Sequence, residues 1–493
     1  KNSALKNIRS AFTTVLTLLG KETNSGNIAA LTKTFAETLT GTSINTAGII
    51  VFNPWGLPRR AFLDISDWES LPAEVAPVVL AKESEGKKEI IVDVPPLGYA
   101  FVKKPNRAEV RKHSEKPAGI FSFFTASKKD ETETLVRLVK NTVKGKDGKE
   151  ETRSVYLLQN EFFNVKIDAV TGILRSLHTD KTRYNLLSQQ LAFRLPKELR
   201  LKDGRGTSNP NYGYTVSTAD KITIEQSGPI TGQLRIQGRL LSYDGSLAAE
   251  YVETVIIRRK SRLIEFHLHL EPKIEFGEKP WDSYFALRRA WNDTALELRA
   301  GVADGLEIVN TDKIFAPRIV DLRRRDTEQS LTFLTEGLPF HVLIGGHQLD
   351  TLLAVQGETA LDFRYGIGVD MKFPIPAAME FYAPKPELVC EVENAPQNDS
   401  SWLFCVEAKN VVALNWLPFF DETSGKAAGF CVSLLETENR RAHFELKSFV
   451  EPVKAVSTDL YGNELKELKT ENGSVLLDMH GRELLILKVF TGK

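Results

Sequence analysis

Apolar positions along this chain follow two different periods. In residues 1–40 they recur at three- and four-residue steps. Leu5, Ile8, Phe12, Val15 and Leu19 form one stripe, and Ile28, Leu31, Phe35 and Leu39 form a second. The spacing predicts two short helices, broken at Gly20 and in "NSGN". Each helix has a single apolar stripe and needs another surface to cover it.

From Gly48 onward the period is two. "GIIVFNPWGLPRRAFLDI" reads as strand, turn at Asn53-Pro54, and strand. "KEIIVDVPPLGYAFVKK" repeats this with a corner at Pro95-Pro96. "NEFFNVKIDAVTGILRSL" alternates, turns on Thr171-Gly172, and alternates again. Further strands run to about Pro386, among them "GQLRIQGRLLSYDG", "YVETVIIRRKSRLIEFHLHLEP" and "DSYFALRRAWNDTALELRAG". They outnumber the strands of an immunoglobulin-size sandwich, and a large two-sheet antiparallel structure is the natural way to bury them. The last hundred or so residues alternate again.

The expected fold is mainly β, in four pieces: a helical remnant (1–45), a small β-domain (46–105), a large antiparallel supersandwich (106–388) and a C-terminal β-sandwich (389–493). The charged runs "ASKKDETE" and "VKGKDGKEE" read as a solvated face, with a hairpin tip at Gly145–Gly148.

Composition narrows the functions. Lys+Arg and Asp+Glu are equal at 64 each, which argues against a nucleic-acid partner and suits a neutral ligand such as a sugar. No apolar run reaches the roughly 18 residues of a membrane helix, so no membrane partner is expected. The first twenty residues mimic a secretory leader but lack its small-residue cleavage pattern. With Lys1 rather than Met at the start, the chain is expected to be a piece of a longer one. Cys390, Cys405 and Cys431 carry no ligand spacing, and Cys405 and Cys431 are expected to be buried, small hydrophobes.

The search for chemistry finds lures but no catalytic set. There is no phosphate-binding loop, no nucleophile elbow and no HExxH helix. His267 and His269 share one face of a strand, yet spacing supplies no third metal ligand. His178 and Asp180 sit at a strand-to-loop corner. Gly345-Gly346 predicts a tight hairpin between His341 and His347, with polar residues exposed around it. Tyr212 and Tyr214, in a loop rich in Gly, Asn and Pro, and Trp281 offer aromatic rings on which a sugar can stack. Tyr212, Tyr214, Trp281, His341 and His347 are therefore the carbohydrate-binding candidates; no residue is assigned to catalysis or to a metal. A glycosidase needs two acids about 5–10 Å apart, and sequence distance in an all-β chain does not select them.

Several segments together resemble the family-38 glycoside hydrolases, the retaining α-mannosidases, in their bacterial branch. "VFNPWGLPR" and "DVPPLGY" resemble the opening and closing of that family's first β-domain. "LQNEFFNVKIDAVTGILRSL" resembles the entry hairpin of its large sandwich. "YFALRRAWND", "LTEGLPFHVLIGGHQLDTLLAVQGET" and "FRYGIGVD" resemble later strands of that domain, and "GRELLILKVF" its terminal strand. The resemblance implies a galactose-mutarotase-like supersandwich and a place behind the catalytic barrel. It also implies that zinc, its two Asp and two His ligands, and the Asp nucleophile belong to an N-terminal α/β barrel and the start of a helical bundle. The expected partners are that catalytic domain and an α-mannoside-containing glycan. None of those motifs is matched here, so this chain alone is expected to be inactive. Two alternatives stand beside this reading. One is a carbohydrate-binding module. The other is a mutarotase-like sugar epimerase, using His267 with Glu265 or Glu271, which requires the face bearing Glu265, His267 and His269 to point into the sandwich.

Overall fold

The computed structural model describes residues 33, 36–37, 39–40, 45–105, 135–144, 150–182, 184–196, 213–302, 305–335, 337–383, 388–402, 404–421 and 427–491. Most of the two predicted N-terminal helices, the Gly145–Gly148 tip and Tyr212 lie outside the described residues. The fold is mainly β, built of antiparallel sheets, and the chain divides into two compact units, residues 128–381 and residues 1–127 with 382–493.

The unit of residues 128–381 is a two-sheet sandwich. Its first sheet has nine strands in the order Lys313–Phe315, Phe340–Ile344, Gln348–Ala354, Tyr284–Ala290, Leu187–Arg194, Leu174–Thr179, Phe163–Asp168, Glu150–Gln159 and Val136–Lys144. Its second also has nine: Val216–Ser227, Thr231–Leu241, Leu247–Arg258, Leu263–Pro272, Asp362–Val369, Ser330–Leu334, Ile319–Arg324, Leu296–Val302 and Gly305–Ile308. Alternation sends one apolar set per strand inward. Leu187, Phe193 and Phe285 of the first sheet join Leu234, Phe266 and Tyr365 of the second in a single core.

The expected opening hairpin is present. Asp168 closes it, its Oδ1 accepting from the backbone N–H of Val170 and of Thr171, each at 3.0 Å. The Gly345-Gly346 turn also forms, with φ of +58° and +81°. After Asp362–Val369 a short helix, Pro374–Tyr382, buries Ile375, Ala378 and Phe381.

In the other unit, strands distant in sequence share a sheet. Asn45–Asn53 lies between Leu388–Asn394 and Gly98–Lys103, and Ser400–Trp402 pairs with the outer side of Gly98–Lys103. A three-stranded sheet covers one face through Ile49, Val51, Ile90 and Val92. Asn53 ties the two proline corners together: its Nδ2 donates to Leu57 O at 2.7 Å and Pro95 O at 3.0 Å. A four-stranded and a five-stranded sheet form the last sandwich around Phe404, Trp416, Phe430 and Phe444. Cys405 and Cys431 are half-buried, not core residues: alternation turns Phe404, Phe430 and Val432 inward and leaves the thiols on outward positions.

Candidate functional site

The second large sheet turns its odd-numbered positions on Leu263–Pro272 away from the core. Ile264, Phe266, Leu268 and Leu270 are in the core, so Glu265, His267, His269 and Glu271 share the outer face. The pairing register then sets a row of side chains across four strands: Arg235 opposite Thr254, Thr254 opposite His267, and His267 opposite Arg364. The next row sets Val252 opposite His269 and His269 opposite Asp362. Together these residues line a groove of about 370 Å³.

Glu265 is the buried anchor of this face. Its Oε1 accepts from Arg364 Nε at 2.8 Å and its Oε2 from Arg258 Nη1 at 3.0 Å. His267 Nε2 lies 3.1 Å from Glu265 Oε1, so the carboxylate fixes the proton on that nitrogen. His269 Nδ1 lies 2.8 Å from Asp362 Oδ1, and its Nε2 lies 3.5 Å from Glu271. The hydrogen bond to Asp362 and the nearby Glu271 raise the His269 pKa above the ordinary imidazole value. Arg364 Nη1 also donates to the Phe381 carbonyl at 2.8 Å, and its guanidinium lies 4.0 Å from the Phe381 ring, so the helix holds the guanidinium in place.

The epimerase alternative required this face to point inward. It points outward, with the His267 side chain 48% exposed.

The described candidates among those named from sequence, Tyr214, Trp281, His341 and His347, lie at the first large sheet, on opposite sides of it. Tyr214 is buried: its hydroxyl donates to Asp350 Oδ2 at 2.6 Å, beside the Tyr284 hydroxyl at 2.9 Å. Arg288 lies 3.3 Å from Asp350 Oδ1 and 3.6 Å from the Tyr214 ring. Burial raises the Asp350 pKa and pushes Tyr214 up to about 12. Trp281 packs edge-on against Phe340 at 5.7 Å, and Phe340 meets Phe315 at 5.8 Å. Phe315 and Phe340 are exposed, giving an aromatic margin at the sheet edge.

His341 faces the core and is fully enclosed, not exposed beside the hairpin. The reason is parity: on Phe340–Ile344 the inward position is taken by His341, opposite Thr351. Its Nδ1 is 3.0 Å from Thr351 Oγ1 and its Nε2 is 3.0 Å from Ala316 O. His347 stacks edge-on against Trp291 at 6.1 Å. His178 is the penultimate residue of the strand Leu174–Thr179, and Asp180 lies in the following turn.

Sequence reading missed Arg235, Thr254, Asp362, Arg364 and Asp350, because each joins its cluster by cross-strand register. Among the described residues no group of three His, Cys, Asp or Glu is placed to hold a metal ion, so the zinc implied by the family resemblance has no fitted site among them. Nor is any described helix long and apolar enough to cross a membrane.

No family model matches the sequence, and no curated protein matches it. Solved structures do. The chain is similar to an α-mannosidase from Enterococcus faecalis V583, with TM-score 0.56 and 12% identity, covering 93% of this chain and 58% of that one. It is also similar to a protein in glycosyl hydrolase family 38 from Enterococcus faecalis, with TM-score 0.54 and 13% identity, covering 93% and 60%. At such identities the likeness establishes a shared fold. The chain spans about three-fifths of each of those two proteins.

Proposed function

We propose that this chain is the β-rich region of an α-mannosidase-like glycoside hydrolase, serving as the scaffold on which that enzyme's catalytic domain sits. The observation that carries this reading is the fold likeness, which runs along 93% of this chain and leaves about two-fifths of each similar protein unaccounted for. Site chemistry supports it. The five buried carboxylates among the described residues of the 128–381 unit, Asp168, Glu253, Glu265, Asp321 and Asp350, are each engaged internally. Asp168 closes a hairpin, Tyr365 bonds Glu253, and Arg258 and Arg364 hold Glu265. Arg299 and Thr332 hold Asp321, and Tyr214 and Tyr284 hold Asp350. Carboxylates bound in this way are structural, whereas a glycosidase needs a pair free to meet the anomeric carbon and the leaving oxygen. On this reading an α-mannoside-containing glycan meets the catalytic domain, and no step of its hydrolysis is assigned to residues of this chain.

The test is release of the aryl group from an aryl α-mannoside. This chain alone is expected to give no turnover with or without added zinc. The full-length source polypeptide is expected to give zinc-dependent turnover. Saturable hydrolysis by this chain alone, or none by the full-length polypeptide, overturns the reading.

A further inference from the structure

We infer that the outward groove of the second large sheet binds a neutral pyranoside. The argument begins with charge. Each ion bordering the groove has a counter-ion in place: Arg364 and Arg258 on Glu265, His269 on Asp362, and Arg235 with Glu225 at 3.6 Å. A strongly charged ligand finds no excess field to pair with, so the groove selects for hydrogen bonding without net charge.

The polar groups that remain have both senses. With Nε2 committed to Glu265, the other ring nitrogen of His267, Nδ1, is left to meet a ligand hydroxyl. Thr254, its cross-strand neighbour, both donates and accepts, and Arg235 beyond it donates. Asp362 supplies acceptors on the next row. A pair of neighbouring hydroxyl groups, each of which donates one hydrogen bond and accepts others, matches this alternating row. Val252, in the second row beside His269, offers an apolar side chain to the C–H face of a ring. The volume of about 370 Å³ lies in the range of small-molecule sites. Packing of Phe381 over Arg364 fixes the guanidinium in place before a ligand arrives, which lowers the ordering cost of binding.

The ligand class comes from the groove's own chemistry. The choice of mannosides as first probes rests on the function proposed above. The experiment is saturation-transfer difference NMR on the whole chain with methyl α-mannoside, methyl α-glucoside and methyl β-galactoside, followed by titration of whichever binds. At least one is expected to bind, with affinity weakened about tenfold or more in both Arg235→Ala and Thr254→Val, and unchanged in Trp281→Ala. Arg235 and Thr254 are partly exposed on the outer face, and unchanged unfolding midpoints would establish that the variants fold. Transfer to none of the three sugars overturns the inference. So does binding that survives both groove variants, or that is lost in Trp281→Ala, which would move the site to the aromatic margin. Binding of the glucoside or galactoside without the mannoside keeps the groove and counts against the mannosidase reading. Absence of all binding removes the groove and leaves the aryl-mannoside test untouched.

Discussion

The Tyr365 hydroxyl donates to the Glu253 carboxylate on the inner face of the second large sheet, with the strand Leu263–Pro272 between them. Phe266 of that strand stacks on the Tyr365 ring at 4.8 Å, so the pair is sealed in apolar surroundings. Burial pushes the Glu253 pKa from 4.5 up to about 7. Between those values the folded chain keeps a proton that the unfolded chain has released. Glu253 therefore contributes stability that is full below pH 4.5 and is lost as pH rises through about 7. The size is on the order of 3 kcal/mol. Glu253→Gln removes this titration, so its stability relative to the parent chain is expected to improve from pH 5 to about pH 7 and to level off above it. Urea unfolding at stepped pH reads the difference, and a constant offset would show that Glu253 does not titrate there.

His341 should show the opposite sign. Burial lowers its pKa from 6.5 to about 4. The unfolded chain protonates first as pH falls, so stability from the neutral ring is full above 6.5 and is lost toward about 4. Over the shared window the His341 and Glu253 slopes oppose each other in the parent chain. His341→Gln is expected to expose the falling Glu253 slope. It should also cost about 1–3 kcal/mol at pH 7, through the bonds to Thr351 and Ala316. A variant whose pH profile parallels the parent's would refute the assignment.

These two groups also show where sequence reading stopped. Strand positions were legible because alternation is local: "NEFFNVKIDAVTGILRSL" placed its own turn, and "HLH" placed both imidazoles on one face. What crosses strands was not. His341 sits in a hairpin that sequence predicted correctly, but whether position 341 faces the core depends on which side that sheet buries. Arg235, Thr254 and His267 are separated by 19 and then 13 positions in the sequence, and only the register Arg235–Thr254–His267 makes them neighbours. The joining of Asn45–Asn53 with Leu388–Asn394 is a pairing across most of the chain, which no local pattern encodes.

The opening hairpin permits a test of backbone strain against packing. Gly172 has φ of +72°, and a Cβ there would lie 2.9 Å from Ile236 Cγ2 and 3.1 Å from the Tyr251 hydroxyl. Gly357 has φ of +86° with nothing within 4 Å of a built Cβ. Gly357→Ala carries the left-handed backbone cost alone, about 1–2 kcal/mol. Gly172→Ala adds overpacking, for a total of about 2–5 kcal/mol. Denaturant midpoints of the two variants measure the gap. Equal losses would mean that Ile236 yields freely and that the hairpin does not fix the sandwich entry.

Asp350 separates hydrogen bonding from charge in a buried cluster. If its ion pair with Arg288 were what held the cluster, Asp350→Asn would cost about 3–5 kcal/mol, as breaking a buried pair does. The raised pKa says otherwise, because burial disfavours the charge more than Arg288 and the two tyrosines recover. What the carboxylate supplies is an acceptor for the Tyr214 and Tyr284 hydroxyls. An asparagine oxygen supplies that too. Arg288 keeps Gln348, which accepts from it at 2.8 Å, and keeps the Tyr214 ring. Asp350→Asn is therefore expected to change stability by less than about 1.5 kcal/mol. Asp350→Ala strands two buried hydroxyls and is expected to cost about 2–5 kcal/mol. Thermal and urea unfolding of both variants at pH 7 decide between the two accounts: if asparagine is as damaging as alanine, the charge pair is the tie, and the hydrogen-bond account fails.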